Sequence, residues 1–204
     1  MESRKSKVEN AEVIESSTRA FTAEVHEDAD APSFGSWVHV EADDGTTLYG
    51  LVSHVETGPA AANRQPRALG LSEEERRKEM PHVRELLRTT YRAQVLGYRT
   101  ADGRQVRQTL PPRPAAIHAF AEPCPPEAVR ALGRPYDFLR TLAHHPDEAV
   151  PADDLLVAVL GQIHAAQETE DEARAELVAA GRQLSRLLDD DHERLHAILR
   201  RVEA

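Results

Sequence analysis

The stretch from Ser36 to Gly58, SWVHVEADDGTTLYGLVSHVETG, constrains the fold more than any other part of the chain. Two runs rich in β-branched and aromatic residues flank an Asp-Asp-Gly turn, the pattern of a β-hairpin. On the first arm Val38, Val40 and Ala42 alternate with Trp37, His39 and Glu41, the period of two expected of a strand with one buried face. The second arm, Leu48 to Val55, is apolar on both faces, and Gly50 stands where a bulge or sharp bend would exchange them. Small barrels need such corners, so the hairpin predicts barrel strands rather than a flat sheet.

Around this hairpin the remaining segments fall into order. Residues 1–15 read as a charged, disordered tail, and Thr18 to Val25 as a first strand. After the hairpin, GPAAANRQPRALG is a connection without periodicity. Ser72 and Glu75 have capping-box spacing and open a charged helix, with Met80, Val83 and Leu87 at helical spacing and Pro81 splitting it. Thr90 to Leu110 repeats the hairpin logic about an Asp102-Gly103 turn. Pro111, Pro112 and Pro114 then force an extended passage, and Ile117 to Phe120 is placed to close the sheet. From Pro125 onward the periodicity is helical: Pro126 to Leu132, Tyr136 to His145, Pro151 to Ala166, and a last segment opened by a Thr169 to Glu172 capping box. The expected class is α+β: a tail over 1–15, a small N-terminal β-barrel of about six strands over 16–122 with a helical insertion at 71–88, and a helical region over 123–204.

Composition narrows the setting. Cys124 is the single cysteine, which excludes an internal disulfide and a cysteine-based zinc cage within one chain and fits a reducing, cytoplasmic compartment. No run is apolar enough to span a membrane, and the first residues lack the apolar core of an export signal. The net charge of −10 is unevenly spread: residues 64–113 hold 12 basic and 6 acidic side chains, while the flanking segments are strongly acidic. Arg64, Arg67, Arg76, Arg77, Lys78 and Arg84 are therefore candidates for contact with nucleic acid or an acidic partner, although charge runs of this kind more commonly form a solvated face.

Motifs for catalysis are sparse. A phosphate-cradling loop needs a Gly-Lys pair, and the chain has neither that pair nor a G-x-G-x-x-G turn, so nucleotide hydrolysis has no local support. His192-Glu193-Arg194-Leu195-His196 matches H-E-x-x-H, which on a helix would set two imidazoles on one face with Glu193 as base. Arg194 puts a cation inside that site, no histidine or aspartate follows His196, and the leucines around it continue an apolar stripe, so packing is the favoured role. His144 and His145 suit a helix C-terminus, His118 and Cys124 lack a third orienting group, and Trp37 suits a core. No catalytic residue, cofactor or metal ligand is assigned. Leu177, Leu184, Leu188, Leu195 and Val202 lie near a seven-residue repeat that would fold back on the chain's own helices or pair with another helix.

The segments GSWVHVEADDGTTLYGLVSHVETG and RAQVLGYRTADGRQVRQTLPPRPAAIHAFAEP, with their VLGY strand and LPPRP exit, resemble the HerA/ATP-synthase barrel, or HAS barrel. The likeness spans roughly residues 15–166 and looks closest to short bacterial proteins that carry this barrel with a helical tail and no motor domain. It implies a six-stranded barrel that, in HerA-type DNA translocases and rotary ATPases, holds subunits together or docks partners. The expected function is accordingly a non-enzymatic interaction and assembly module, with a HerA-type ATPase and a NurA-type nuclease as partners in DNA-end processing, and homo-oligomerisation as a further use of the barrel. The interaction candidates are Leu51 and Val55, on a strand apolar on both faces, and Arg76, Arg77, Lys78 and Arg84. Two alternatives stand beside it: nucleic-acid binding through 64–113, and metal binding at His192 to His196.

Overall fold

In the computed structural model, residues 11–27, 29–61, 68–72, 74–75, 78, 86–145 and 149–202 are described. Seven strands come first: β1 Ala11–Ser16, β2 Ala20–Val25, β3 Trp37–Glu41, β4 Thr47–Pro59, β5 Leu87–Arg99, β6 Val106–Arg107 and β7 Phe120–Pro123. Five helices follow among the described residues: α1 Pro126–Ala131, α2 Phe138–Ala143, α3 Ala152–Ala165, α4 Glu170–Leu187 and α5 His192–Val202. Every strand pair is antiparallel. Because β5 pairs with β4 along one edge and with β2 along the other, the order β1-β2-β5-β4-β3-β7 returns to β1 and closes a six-stranded barrel. Closure leaves no open edge in the ring.

The barrel interior is filled by Val13, Phe21, Val38, Val40, Leu48, Val52, Tyr91 and Val95, with alanines at 23, 93 and 121 where the wall is crowded. Val38 and Val40 face inward, as the alternation of the first arm predicts. Gly50 is placed by the same crowding: a Cβ there would stand 3.0 Å from both the Ala93 Cβ and Phe21 Cε1. The register of β4 against β5 shifts at Tyr49/Gly50 and again between Val52 and His54, so the bend expected at Gly50 is present.

Tyr49 and Leu51 point out of the barrel, yet both are buried, because the helices cover that wall. Trp37, Leu51 and Leu96 join Phe138, Leu139, Leu142, Leu155, Leu156, Val159 and Leu160 in a second core. Burying each such side chain stabilises the fold by about 1.5–3 kcal/mol. A strand apolar on both faces is thus a wall shared by two cores. Gly35, at φ +78°, lets the turn before β3 lie on α3, where even an ideal Cβ would come within 2.3 Å of the Ala158 Cβ. In α4 the Thr169 side chain accepts the Glu172 N–H, as the capping box predicts. Leu184, Leu188, Leu195 and Ile198 are buried in the second core, so the leucine repeat is used within the chain.

Several boundaries differ from expectation. Residues 11–15 are not tail: β1 begins at Ala11 and pairs with both β2 and β7, a role that its alternating Glu12, Glu15 and Ser16 concealed. The closing strand is Phe120–Pro123 rather than 117–120, because His118 adopts φ +69° in the turn before it. The second hairpin is short, pairing only Tyr98 with Arg107 and Arg99 with Val106. Its return arm is drawn away by Gln108, whose Nε2 donates to the carbonyls of Leu132 at 2.7 Å and Gly133 at 2.6 Å. Of the insertion expected at 71–88, the Ser72–Glu75 capping box is formed, while Leu87 and Arg88 already belong to β5. The second helix is shorter than Tyr136 to His145, starting at Phe138 because Tyr136 takes φ +63°.

Candidate interaction surface

The barrel's outer wall divides into three regions. The first, on β3, β4 and β5, is sealed by the helices. Beside it the strand pairings line up two polar rows: Glu122, His39 and Tyr49 lie across from one another on β7, β3 and β4, and Glu41, Thr47 and Arg99 form the next row on β3, β4 and β5. Together with the start of α1, which contributes Glu127, these rows line a hollow of about 490 Å³. The Arg99 guanidinium donates to Thr47 Oγ1 at 3.0 Å. His39 Nδ1 is enclosed and, among the described residues, has no hydrogen-bond partner. Burial pushes the Tyr49 phenol above its ordinary range, with the Arg99 charge pulling the other way.

The third region is the outer face of β1 and β7, where apolar side chains stay exposed. Ile14 is 39% exposed, Phe120 41% and Ile117 49%. Around them His26 lies tilted against the Phe120 ring at 6.4 Å, and His118 bonds Glu12 through Nδ1. The result is an apolar surface on a rigid wall, ringed by groups that can be charged.

The residues singled out by sequence are dispersed over the molecule. Leu51 is 0% exposed, and what covers it is the chain's own helical region rather than another subunit. Its two-sided strand satisfies both faces internally, and that corrects its selection as an interaction residue. Val55 is half-buried against the barrel interior, and Lys78 is exposed. Arg64, Arg67, Arg76, Arg77 and Arg84 lie outside the described residues. Trp37 is core, stacked edge to face on Phe138. His144 ends α2 with its ring Nδ1 3.3 Å from the Arg140 carbonyl, and His145 reaches the buried Gln94 Oε1 at 3.2 Å. Burial raises the Cys124 thiol to about 12, so it is held as the neutral thiol.

The H-E-x-x-H helix is α5, and Arg194 within it is structural. Its Nε donates to Asp153 Oδ1 at 2.7 Å and its terminal nitrogen to the Ala143 carbonyl at 3.1 Å, tying α5 to α3 and to the end of α2. Among the described residues no group of three or more His, Cys, Asp and Glu is placed to hold a metal ion.

Sequence reading missed the hollow and the β1/β7 surface for one reason: both are assembled across strands that are far apart in the chain. His39, Tyr49 and Glu122 become neighbours only through register. The outward period-two positions of β3 were legible, but their partners were not.

The architecture defines an α+β chain in which a closed antiparallel barrel is packed against a helical region. Residues 11–100 match the HAS barrel domain, a domain of the assembly and interaction type. The match covers β1 to β5, while β7, which closes the ring, lies beyond it. No curated protein matches the sequence. Among the described residues no helix is long and apolar enough to cross a membrane.

Proposed function

We propose that this chain is a non-enzymatic assembly module that docks, through its HAS barrel, onto a HerA-type ATPase and its NurA-type nuclease in DNA-end processing. The observation that carries the reading is the β1/β7 wall: the chain's own helices bury the outward Trp37, Leu51 and Leu96 of the barrel, whereas Ile14 and Phe120 stay exposed on a rigid face. The choice of ATPase and nuclease rests on the family resemblance, because a fold by itself does not fix a partner. The non-enzymatic part draws support from the sequence, which lacks a Gly-Lys phosphate loop, and from Cys124, whose thiol is held protonated.

Sedimentation velocity of the purified chain, alone and mixed with the HerA-type ATPase and NurA-type nuclease of the same genome, tests the proposal. A complex is expected with at least one of them. Phe120→Asp should weaken it about tenfold or more, since a charge in the middle of an apolar contact is left without solvent, while the melting temperature stays near that of the parent because Phe120 is outside both cores. Absence of any complex with either protein would remove the reading.

A further inference from the structure

We propose that the solvent side of α4 docks an acidic amphipathic helix of the partner protein, an inference that rests on the assembly-module reading and gives that partner a chemical signature. Arg174, Val178, Arg182 and Arg186 follow one another at four-residue intervals along α4, and all are exposed. Residues four apart are neighbours on a helix surface, so the four side chains form one ridge about 18 Å long. The opposite side of the helix, with Ala173, Ala180 and Leu184, is buried.

Two observations set this ridge apart from an ordinary solvated face. Among the described residues, no side-chain hydrogen bond or ion pair engages any of its three arginines. The acids nearest them in sequence are placed otherwise: Glu170 meets His164 at 3.5 Å, Glu176 is held by Arg134 at 2.9 Å and by the Tyr136 hydroxyl, and Asp191 accepts the Arg194 N–H at 3.1 Å. Asp171 and Glu172 stay in the first turn, where the helix N-terminus itself favours a carboxylate, and Asp189 and Asp190 form no ion pair with Arg186. Arg182 and Arg186 are thus like charges one turn apart, an arrangement that weakens an isolated helix. The second observation is Val178, 46% exposed between Arg174 and Arg182; among the described residues of α1 to α5 it alone is a large apolar side chain left exposed.

An apolar side chain flanked by unpaired arginines is complementary to a helix that carries an apolar residue between carboxylates at the same spacing. The ridge of one helix seats in the grooves of the other, and the charges meet around the apolar contact. Each guanidinium can take a carboxylate through two parallel N–H donors. A phosphate backbone would satisfy the arginines but offers little to Val178, and the net charge of −10 repels a polyanion from a distance. The two surfaces then divide the task, with the β1/β7 wall supplying apolar area and α4 selecting an acidic helix.

The probe is an alanine-based peptide of about 20 residues, long enough to hold a helix in water, with a row of glutamates interrupted by one leucine at four-residue spacing. It is titrated into the full chain while the backbone amides are followed by nuclear magnetic resonance, with the same peptide bearing glutamine for every glutamate as control. Saturable shifts confined to α4 are expected, with a Kd of about 0.1–1 mM at low salt, and none for the glutamine peptide. Arg182→Glu should weaken binding about tenfold and Val178→Ser about threefold, without loss of the dispersed amide spectrum. Arg182→Glu with Arg186→Glu should in turn bind a peptide bearing lysine for every glutamate, a gain that a damaged fold would not give. No saturable shift on α4, an equal response to the glutamine peptide, equal affinity in all variants, or tighter binding of a mixed-sequence DNA duplex than of the acidic peptide would overturn the proposal. The two readings fail separately: absence of a complex with the ATPase or nuclease removes the named partners, while loss of selectivity for the acidic peptide removes the role of α4 alone.

Discussion

Trp37 and Phe138 meet edge to face, their ring centroids 5.4 Å apart and their planes at 85°. One belongs to the outer wall of the barrel and the other to α2, so this contact fastens the two halves of the molecule. Tyr136 meets the Phe138 ring in the same edge-to-face geometry at 6.1 Å. Aromatic pairs of this kind contribute about 0.5–1.5 kcal/mol beyond the area they bury.

Phe138→Ala should therefore destabilise the chain by about 3–5 kcal/mol, the cost of a large buried aromatic removed from a filled core. Urea unfolding monitored by circular dichroism measures it. A cost below about 1 kcal/mol would show that barrel and helices do not depend on this junction.

Gly35→Ala should also be costly, by about 3 kcal/mol, because a φ of +78° disfavours any Cβ and the Ala158 Cβ occupies its place. Adding Ala158→Gly should return about 1 kcal/mol or more, the part due to collision rather than to backbone conformation. Strict additivity in the double variant would mean that the turn does not rest on α3.

Removal of residues 169–204 exposes the surface that Leu184, Leu188, Leu195 and Ile198 cover, but leaves the barrel interior whole. The truncated chain is expected to keep its β-type circular dichroism, to melt at lower temperature and to bind a hydrophobic dye. Complete loss of the β signal would show that the barrel cannot stand without α4 and α5.

In α5, His196→Ala should leave stability within about 0.5 kcal/mol of the parent, as for other exposed surface positions. Arg194→Met, which removes the bonds to Asp153 and the Ala143 carbonyl, should cost about 1 kcal/mol, the pair being partly exposed. Zinc content of the purified chain should be the same in both. A variant of His196 that loses a stoichiometric metal would reverse this ordering of roles.

Cys124 predicts a pH dependence. Its thiol is raised from an ordinary value of 9.0 to about 12 by burial, so above pH 9 the unfolded chain loses a proton that the folded chain keeps. The contribution is fully present below pH 9 and is lost as pH rises towards 12, at up to about 1.4 kcal/mol per pH unit. Cys124→Ala should show a flatter decline over that window when the two are unfolded in urea at successive pH values. Parallel curves would show that the thiol is ionised in the folded chain.

Much of this molecule is dictated by the chain locally. The alternation Trp37 to Ala42, the capping oxygens of Ser72 and Thr169 and the prolines after Leu110 announce a barrel followed by helices, because period-two patterning, cap chemistry and a missing backbone N–H act over a few residues. The packing together of the last helices, by contrast, was one of two uses open to the leucine repeat, and burial of Leu184, Leu188 and Leu195 in the core shared with α3 decided between them. Leu51 makes the same point: its apolarity is legible, but whether a helix of this chain or another subunit covers it depends on where α2 and α3 dock. β1 stayed hidden because its outward side chains are mostly polar and its partners lie on β2 and β7, the latter about a hundred residues away. Closure of the ring, and with it the meeting of Glu122, His39 and Tyr49, is a matter of register between distant strands, and no local interaction in the sequence encodes register across that distance.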